Sequence, residues 1–229
     1  GIDDQNLKEL LLIAATDSLR YNTMMVGYHN SRGHIDNLTR TNSFNPPLYP
    51  AENNVWGTRS GSGTFTAMFD QVRTAVEYAR NPTERHIKGG ETVESEPFNT
   101  PIGGNTKLHK GDMRTLDYED EFDAVITDPP YYDNIIYSEV SDYFYVWKRK
   151  YLQDEYPEFF EKELTEKTDE AVANPSQFSG VSESKSKSEL ARSHYEQKMT
   201  TIFDELYRVL SEDGTFTMMF THKETEAWD

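Results

Sequence analysis

Residues 122–134, Phe-Asp-Ala-Val-Ile-Thr-Asp-Pro-Pro-Tyr-Tyr-Asp-Asn, constrain this chain more than any other stretch, because an apolar run meets two prolines head on. Ala124, Val125 and Ile126 suit a short buried strand. Pro129 and Pro130 end it, since neither can donate to a sheet ladder and each fixes its own φ. The groups that follow therefore sit at the strand's carboxyl end, where open α/β sheets bind their ligands. The plainer alternative is a turn after a strand, because Asp and Pro both favour turns.

Those groups are a carboxylate, a carbonyl aimed by proline geometry and an aromatic face. Two acceptors and a ring suit an exocyclic amine on a flat base. Asp128 and the Pro129 carbonyl would take the two N–H groups, localising the nitrogen lone pair toward an electrophilic methyl group. Tyr131 would stack on a base flipped out of its helix. Most of the rate would come from holding amine and methyl donor together.

Asp128-Pro129-Pro130-Tyr131 resembles the catalytic motif of the S-adenosylmethionine-dependent amino-methyltransferases that act on adenine or cytosine in DNA. The longer run Thr127 to Trp147 (TDPPYYDNIIYSEVSDYFYVW) is similar to one group of these, the adenine-specific DNA methylases described as containing a zinc ribbon. The similarity extends to Tyr21-Asn22, Ser31-Arg32-Gly33, the Trp56–Phe65 loop, Ala173-Asn174-Pro175 and Val209–Lys223. It implies catalytic roles for Asp128, Pro129, Pro130 and Tyr131. Asp112, with Met113, takes the position that touches the adenine ring of the methyl donor, the alternative being an Asp that caps a turn. Tyr132 and Asn134 are expected to line the base pocket.

The chain of 229 residues has no cysteine, so neither a disulfide nor a Cys-based zinc site can form from it. A zinc ribbon would have to lie outside these residues. The six histidines lack metal-ligand spacing, and no metal is assigned. Nothing is long and apolar enough to span a bilayer, and Leu10–Ala15 is no signal peptide, so a cytoplasmic location is expected. The formal net charge of −17 is awkward for a DNA-binding protein, but it is uneven. Residues 1–110 carry 11 basic and 12 acidic side chains, and residues 111–229 carry 12 and 28. The first half is thus the better nucleic-acid face and the second a solvated one. Such acidity also suits a halophilic, high-salt cytoplasm, where repulsion is screened within a few ångströms.

Along the chain, apolar spacing predicts a helix over 3–26, capped by Asp3 or Asp4, with Leu7, Leu10, Leu11, Ala14, Ala15 and Leu19 toward the core. Residues 27–63 are irregular, and Arg32, His34, Arg40 and Arg59 alternate there with Tyr28, Phe44, Tyr49 and Trp56. Cations among rings are what single-strand or flipped-base contacts use, though an ordinary surface loop has the same look. Gly61-Ser62-Gly63-Thr64, which opens a helix over 65–79, is either a methyl-donor loop or a structural turn or phosphate contact. The polar Ala51–Thr58 supplies no strand before it. A polar linker is expected from Pro82 to about Gly104, then a short strand at Lys107-Leu108-His109.

After the catalytic tip, Tyr137–Tyr151 predicts a helix whose Tyr143, Phe144, Trp147 and Tyr151 belong to the core. Residues 153–170 suggest a charged helix and 176–193 a mobile Ser/Lys-rich segment. Tyr195–Leu210 is amphipathic, with Met199, Ile202, Phe203, Leu206 and Leu210 on one face. Asp213-Gly214 then turns into a strand over Thr215–Thr221.

The expected fold is α/β, with a helical and irregular region over 1–105 and a partial Rossmann-like methyltransferase sheet over 106–229. That sheet is incomplete, its main cofactor loop lying upstream and its end falling just after Trp228-Asp229, so the remainder of a longer protein would be needed. The expected activity is methylation of adenine in DNA with S-adenosylmethionine. Cytosine, RNA, a protein glutamine and a non-catalytic nucleic-acid-binding domain stay open as alternatives.

Overall fold

In the computed structural model, helix α1 (Gln5–Leu19) begins where Asp4 Oδ1 accepts the Leu7 amide at 3.0 Å. It ends short of residue 26 because Asn22 competes with the helix for its own last turn. The Asn22 side chain donates to the Ser18 carbonyl at 2.7 Å, and its backbone N–H closes back onto Leu19 at 3.2 Å. Residues 2–40, 44–58, 61–118, 122–180 and 185–221 are described here. They fall into two compact units, Gly1–Leu108 and His109–Asp229.

In the first unit α1 packs against α2 (Phe65–Arg80). The buried Thr64 caps α2 through its hydroxyl, which accepts the Ala67 amide at 3.3 Å. Asn22 also donates to the Gly63 carbonyl at 2.7 Å, tying the end of α1 to the start of α2. Gly63 has φ +72°, and a Cβ there would lie 2.2 Å from the Tyr21 ring. Both roles of Gly61–Thr64 seen here are structural. Between the helices, β1 (Tyr28–His29) and β2 (His34–Ile35) form a short antiparallel ladder.

The expected linker after Pro82 holds a hairpin instead: β3 (Arg85–Lys88) pairs antiparallel with β4 (Glu91–Glu94). Its two-residue turn is Gly89-Gly90, with φ of +63° and +88°, the backbone that matches strand twist. The strand expected at 107–109 is absent. Leu108 is 93% exposed, so no neighbouring strand or core face rewards an extended ladder there.

The second unit is built on β5 (Phe122–Thr127), which pairs in parallel with β6 (Leu210–Met218). Parallel neighbours need a crossover, supplied here by α3 (Tyr137–Leu152) and α4 (Lys187–Val209). The pairing runs Ala124 with Thr215 to Thr127 with Met218, and the register breaks between Phe122 and Ala124. β6 thus starts five residues earlier than the sequence suggests, taking Asp213-Gly214 into an irregular strand rather than a separate turn. Helix α4 also starts earlier, at a capping box in which Ser186 and Glu189 bond each other's backbone N–H. Part of the segment expected to be mobile is therefore helical, while residues 181–184 lie outside the described residues, as do Arg59 and Trp228-Asp229.

Ala173, Ala191, Tyr195 and Met199 form the core of this unit, with Ile202 and Phe203 packed against it. Two other expectations change. Residues 153–170 hold only one 3-10 turn, Pro157–Phe159, because Pro157 interrupts and Glu166 instead accepts the Lys167 and Thr168 amides. The aromatic stripe of α3 is only partly covered: Trp147 and Tyr151 stay exposed, and the one buried α3 residue is Ser138.

One ion pair holds the approach to β5. Glu205 accepts the Leu116 amide at 2.7 Å, while Arg208 donates to both the Leu116 carbonyl and Glu205 at 2.7 Å. The Arg208 hydrogen bond, then the Leu116 amide, hold the Glu205 carboxyl down to about 2. Its folded pKa is below its unfolded one, so the stabilisation is complete above the ordinary carboxylate range and is lost as pH falls toward about 2. Acid melts of the wild type are expected to lose stability across that window, and Glu205→Gln to flatten this part of the profile.

Candidate functional site

Strand β5 ends at Thr127, whose carbonyl accepts the Met219 amide at 2.9 Å, and the prolines then carry the chain out of the ladder. Asp128 is exposed at this tip. Asp128, Pro130, Tyr131 and Tyr137 line an open cleft of about 340 Å³. The Tyr131 hydroxyl donates to Asp128 Oδ1, and this hydrogen bond pushes the phenol above its ordinary pKa. Phe220 stands edge-on to the Tyr131 ring at 5.5 Å, so the chain just after β6 backs the ring.

The two tyrosines of the motif part company. Tyr131 lines the cleft, whereas Tyr132 turns onto helix α4, its ring 5.3 Å from that of Tyr195 in an edge-to-face contact. Tyr132 achieves this at φ +56°, a left-handed backbone that costs a non-glycine residue about 1–3 kcal/mol. Asn134 is exposed, and its amide closes the turn onto the Tyr131 carbonyl at 3.1 Å.

The strain at Tyr132 persists because neighbours fix the loop from both sides. The Tyr132 carbonyl accepts the Ala173 amide at 3.0 Å, and the Pro130 carbonyl accepts the Tyr195 hydroxyl at 3.1 Å and the Tyr132 amide at 3.2 Å. Helix α3, which leaves the site, has no side-chain cap of its own at Ile136. Glu170 replaces it, accepting the Ser138 amide at 3.0 Å and the Ser138 hydroxyl at 2.6 Å, a carboxylate where the helix dipole favours one. Thr165 completes the staple, donating to the Ser138 carbonyl and to Asp142, both at 2.6 Å.

Beneath this segment lies Lys198, only 7% exposed, donating to the carbonyls of Thr168 at 2.7 Å and Glu170 at 3.3 Å. Burial, then the charge of Arg114, lowers its pKa. The sequence reading missed Tyr195, Glu170 and Lys198. Tyr195 opens the apolar face of α4 and carries a hydroxyl that a core position must satisfy, which was the available signal. Glu170 and Lys198 gave none, because a charged residue in a polar stretch looks solvated.

Asp112 does not stand at a strand tip. It sits in a turn, where Arg114 donates to its carboxylate from both the side chain and the backbone, and Arg114 reaches on to Asp169 at 3.1 Å. The Arg114 hydrogen bond holds the Asp112 carboxyl below its usual range. Met113, beside it, is partly exposed. Asp112 and Arg114 thus form a salt-bridged turn.

In the first unit, Leu48, Tyr49 and Trp56 are exposed, and Arg40 pairs with Asp36 at 3.1 Å. A cleft of about 430 Å³ there is lined by Asn22, Met24, Glu52, Asn53 and Val55 among others. A zinc ribbon finds no cysteine ligands in this chain. Among the described residues, no group of three His, Asp or Glu could hold a metal ion, and no helix is long and apolar enough to cross a membrane. Comparison with family models, with curated proteins and with solved structures gives no match for this chain.

Proposed function

We propose that this chain carries the base-binding and catalytic tip of a DNA adenine amino-methyltransferase. The observation that supports it is that Asp128, Pro130 and Tyr131 of this motif line an open cleft at the carboxyl end of a parallel strand, with the Tyr131 hydroxyl bonded to the Asp128 carboxylate. Asp128 and the Pro129 carbonyl accept the two hydrogens of the base's exocyclic amine and so direct its lone pair outward. Tyr131 offers its face to the base, and Asp128 is placed to hold the proton that the amine releases. S-adenosylmethionine, the donor that the motif's resemblance implies, supplies the electrophilic methyl group. Base entry breaks the Tyr131–Asp128 hydrogen bond, because the amine needs the same carboxylate.

The sheet supports a Rossmann-like reading through its parallel pair and crossover helices. Strands of this kind are normally covered on both faces, yet Ile126 is 71% exposed. In this reading further strands of a longer polypeptide complete the sheet, and the aromatic first unit with its nearly balanced charge approaches DNA.

The test is transfer of labelled methyl from S-adenosylmethionine to oligonucleotides containing or lacking adenine, followed by digestion to nucleosides. Label in N6-methyl-2′-deoxyadenosine is expected. Label in a cytosine product would move the substrate to that base, and no transfer at low or high salt, by this chain or a longer one, would overturn the reading.

A further inference from the structure

We propose that Tyr195 is a positioning residue that sets the geometry of the catalytic loop from helix α4; the inference rests on the methyltransferase reading. Tyr195 is 8% exposed and lies in the hydrophobic core of its unit, 65 residues from the loop it touches. Its hydroxyl donates to the Pro130 carbonyl at 3.1 Å, and its ring receives that of Tyr132 edge-on at 5.3 Å. One side chain thus holds the backbone on the motif side of Tyr131 and the side chain that follows it. Tyr132 sits at φ +56°, a conformation a tyrosine keeps only where its surroundings impose it. The third fixed point is the Ala173 amide on the Tyr132 carbonyl at 3.0 Å.

The consequence concerns direction. Tyr131 and Tyr132 are adjacent, and the turn between them sends the first ring into the cleft and the second into the core. Loss of the Tyr195 hydroxyl leaves the Pro130 carbonyl with the Tyr132 amide alone, and the Pro130–Tyr131 peptide gains freedom to rotate. That rotation moves the Tyr131 ring relative to Asp128. Transfer depends on placing the amine within a fraction of an ångström, so the rate suffers before substrate affinity does.

The experiment is Tyr195→Phe in the full chain, which keeps the buried ring and removes only the hydroxyl, with Tyr207→Phe on the exposed side of α4 as control. Amide hydrogen exchange is measured at Tyr132 and Ala173 and, for reference, at Met199 and Leu206. Methyl transfer to an adenine-containing oligonucleotide is measured alongside. In Tyr195→Phe the Tyr132 and Ala173 amides are expected to exchange about tenfold faster while the helix amides are unchanged, and kcat to fall about tenfold with KM for the oligonucleotide unaltered. Wild-type exchange at both loop amides overturns the proposal, as does acceleration spread evenly through α4, which would make Tyr195 general packing. A normal kcat with faster loop exchange also overturns it. Absence of transfer by the wild type, in this chain and in a longer one alike, instead overturns the methyltransferase reading, and exchange then decides whether Tyr195 holds the loop.

Discussion

If the proposed function holds, Asp128→Ala is expected to lower methyl transfer about a thousandfold or more while leaving the fold nearly untouched. The size follows from what is removed: an acceptor for the amine hydrogen and a charge close to where positive charge develops on nitrogen. Single groups preorganised in that way contribute about 3–4 kcal/mol to a barrier. The stability cost is small because Asp128 is exposed and its described partner is the Tyr131 hydroxyl, which water can replace. Asp128→Asn keeps an acceptor oxygen without the charge, so an intermediate rate separates hydrogen bonding from charge. Steady-state transfer with matched melting curves checks all three proteins. Activity of Asp128→Ala within threefold of wild type would remove Asp128 from the mechanism.

The largest expected loss of stability belongs to Lys198. Replacing it with methionine fills nearly the same volume but leaves the Thr168 and Glu170 carbonyls without their donor, and a destabilisation of about 2–4 kcal/mol is expected. The effect should also reach α3, because Glu170 caps that helix through Ser138. The pH dependence carries a second signature. The folded pKa of Lys198 is below its unfolded one, so between the two values the unfolded chain binds more protons and stability rises with pH. Lys198→Met removes that contribution, and the difference in stability from wild type should widen as pH climbs through the window. Denaturant melts at several alkaline pH values check this, and a constant difference would mean that Lys198 does not titrate differently in the folded state.

The end of β5 at Asp128-Pro129-Pro130 was legible because its signals are local. A strand of β-branched residues, a hard stop at two prolines and an aromatic helix behind them need no knowledge of the rest of the chain. Helix α3 ends one residue past the expected bound, while β5 starts two residues earlier than Ala124 and is not buried as expected, Ile126 being 71% exposed. The apolar face of α4 was legible for the same reason, since helical period alone brings Met199, Ile202, Phe203 and Leu206 together. The β3–β4 hairpin was just as local: Gly89-Gly90 between Arg85–Lys88 and Glu91–Glu94 is a two-residue hairpin turn, overlooked because the flanking strands are polar and exposed. A strand was expected at Lys107–His109, where none of the described residues pairs with it.

By itself the sequence determined where the chain turns and which groups stand at the tip, since proline geometry and side-chain period act over a few residues. Only the tertiary structure decided which way those groups face. The loop that puts Tyr131 in the cleft and Tyr132 on α4 is bonded at Pro130 by a hydroxyl 65 residues away, and α3 is capped by Glu170, 32 residues from Ser138. Asp112 is held in the same manner, by Arg114, which reaches on to Asp169, 55 residues away. Long-range hydrogen bonds and ion pairs have no sequence period, because their partners meet only after the intervening chain has folded.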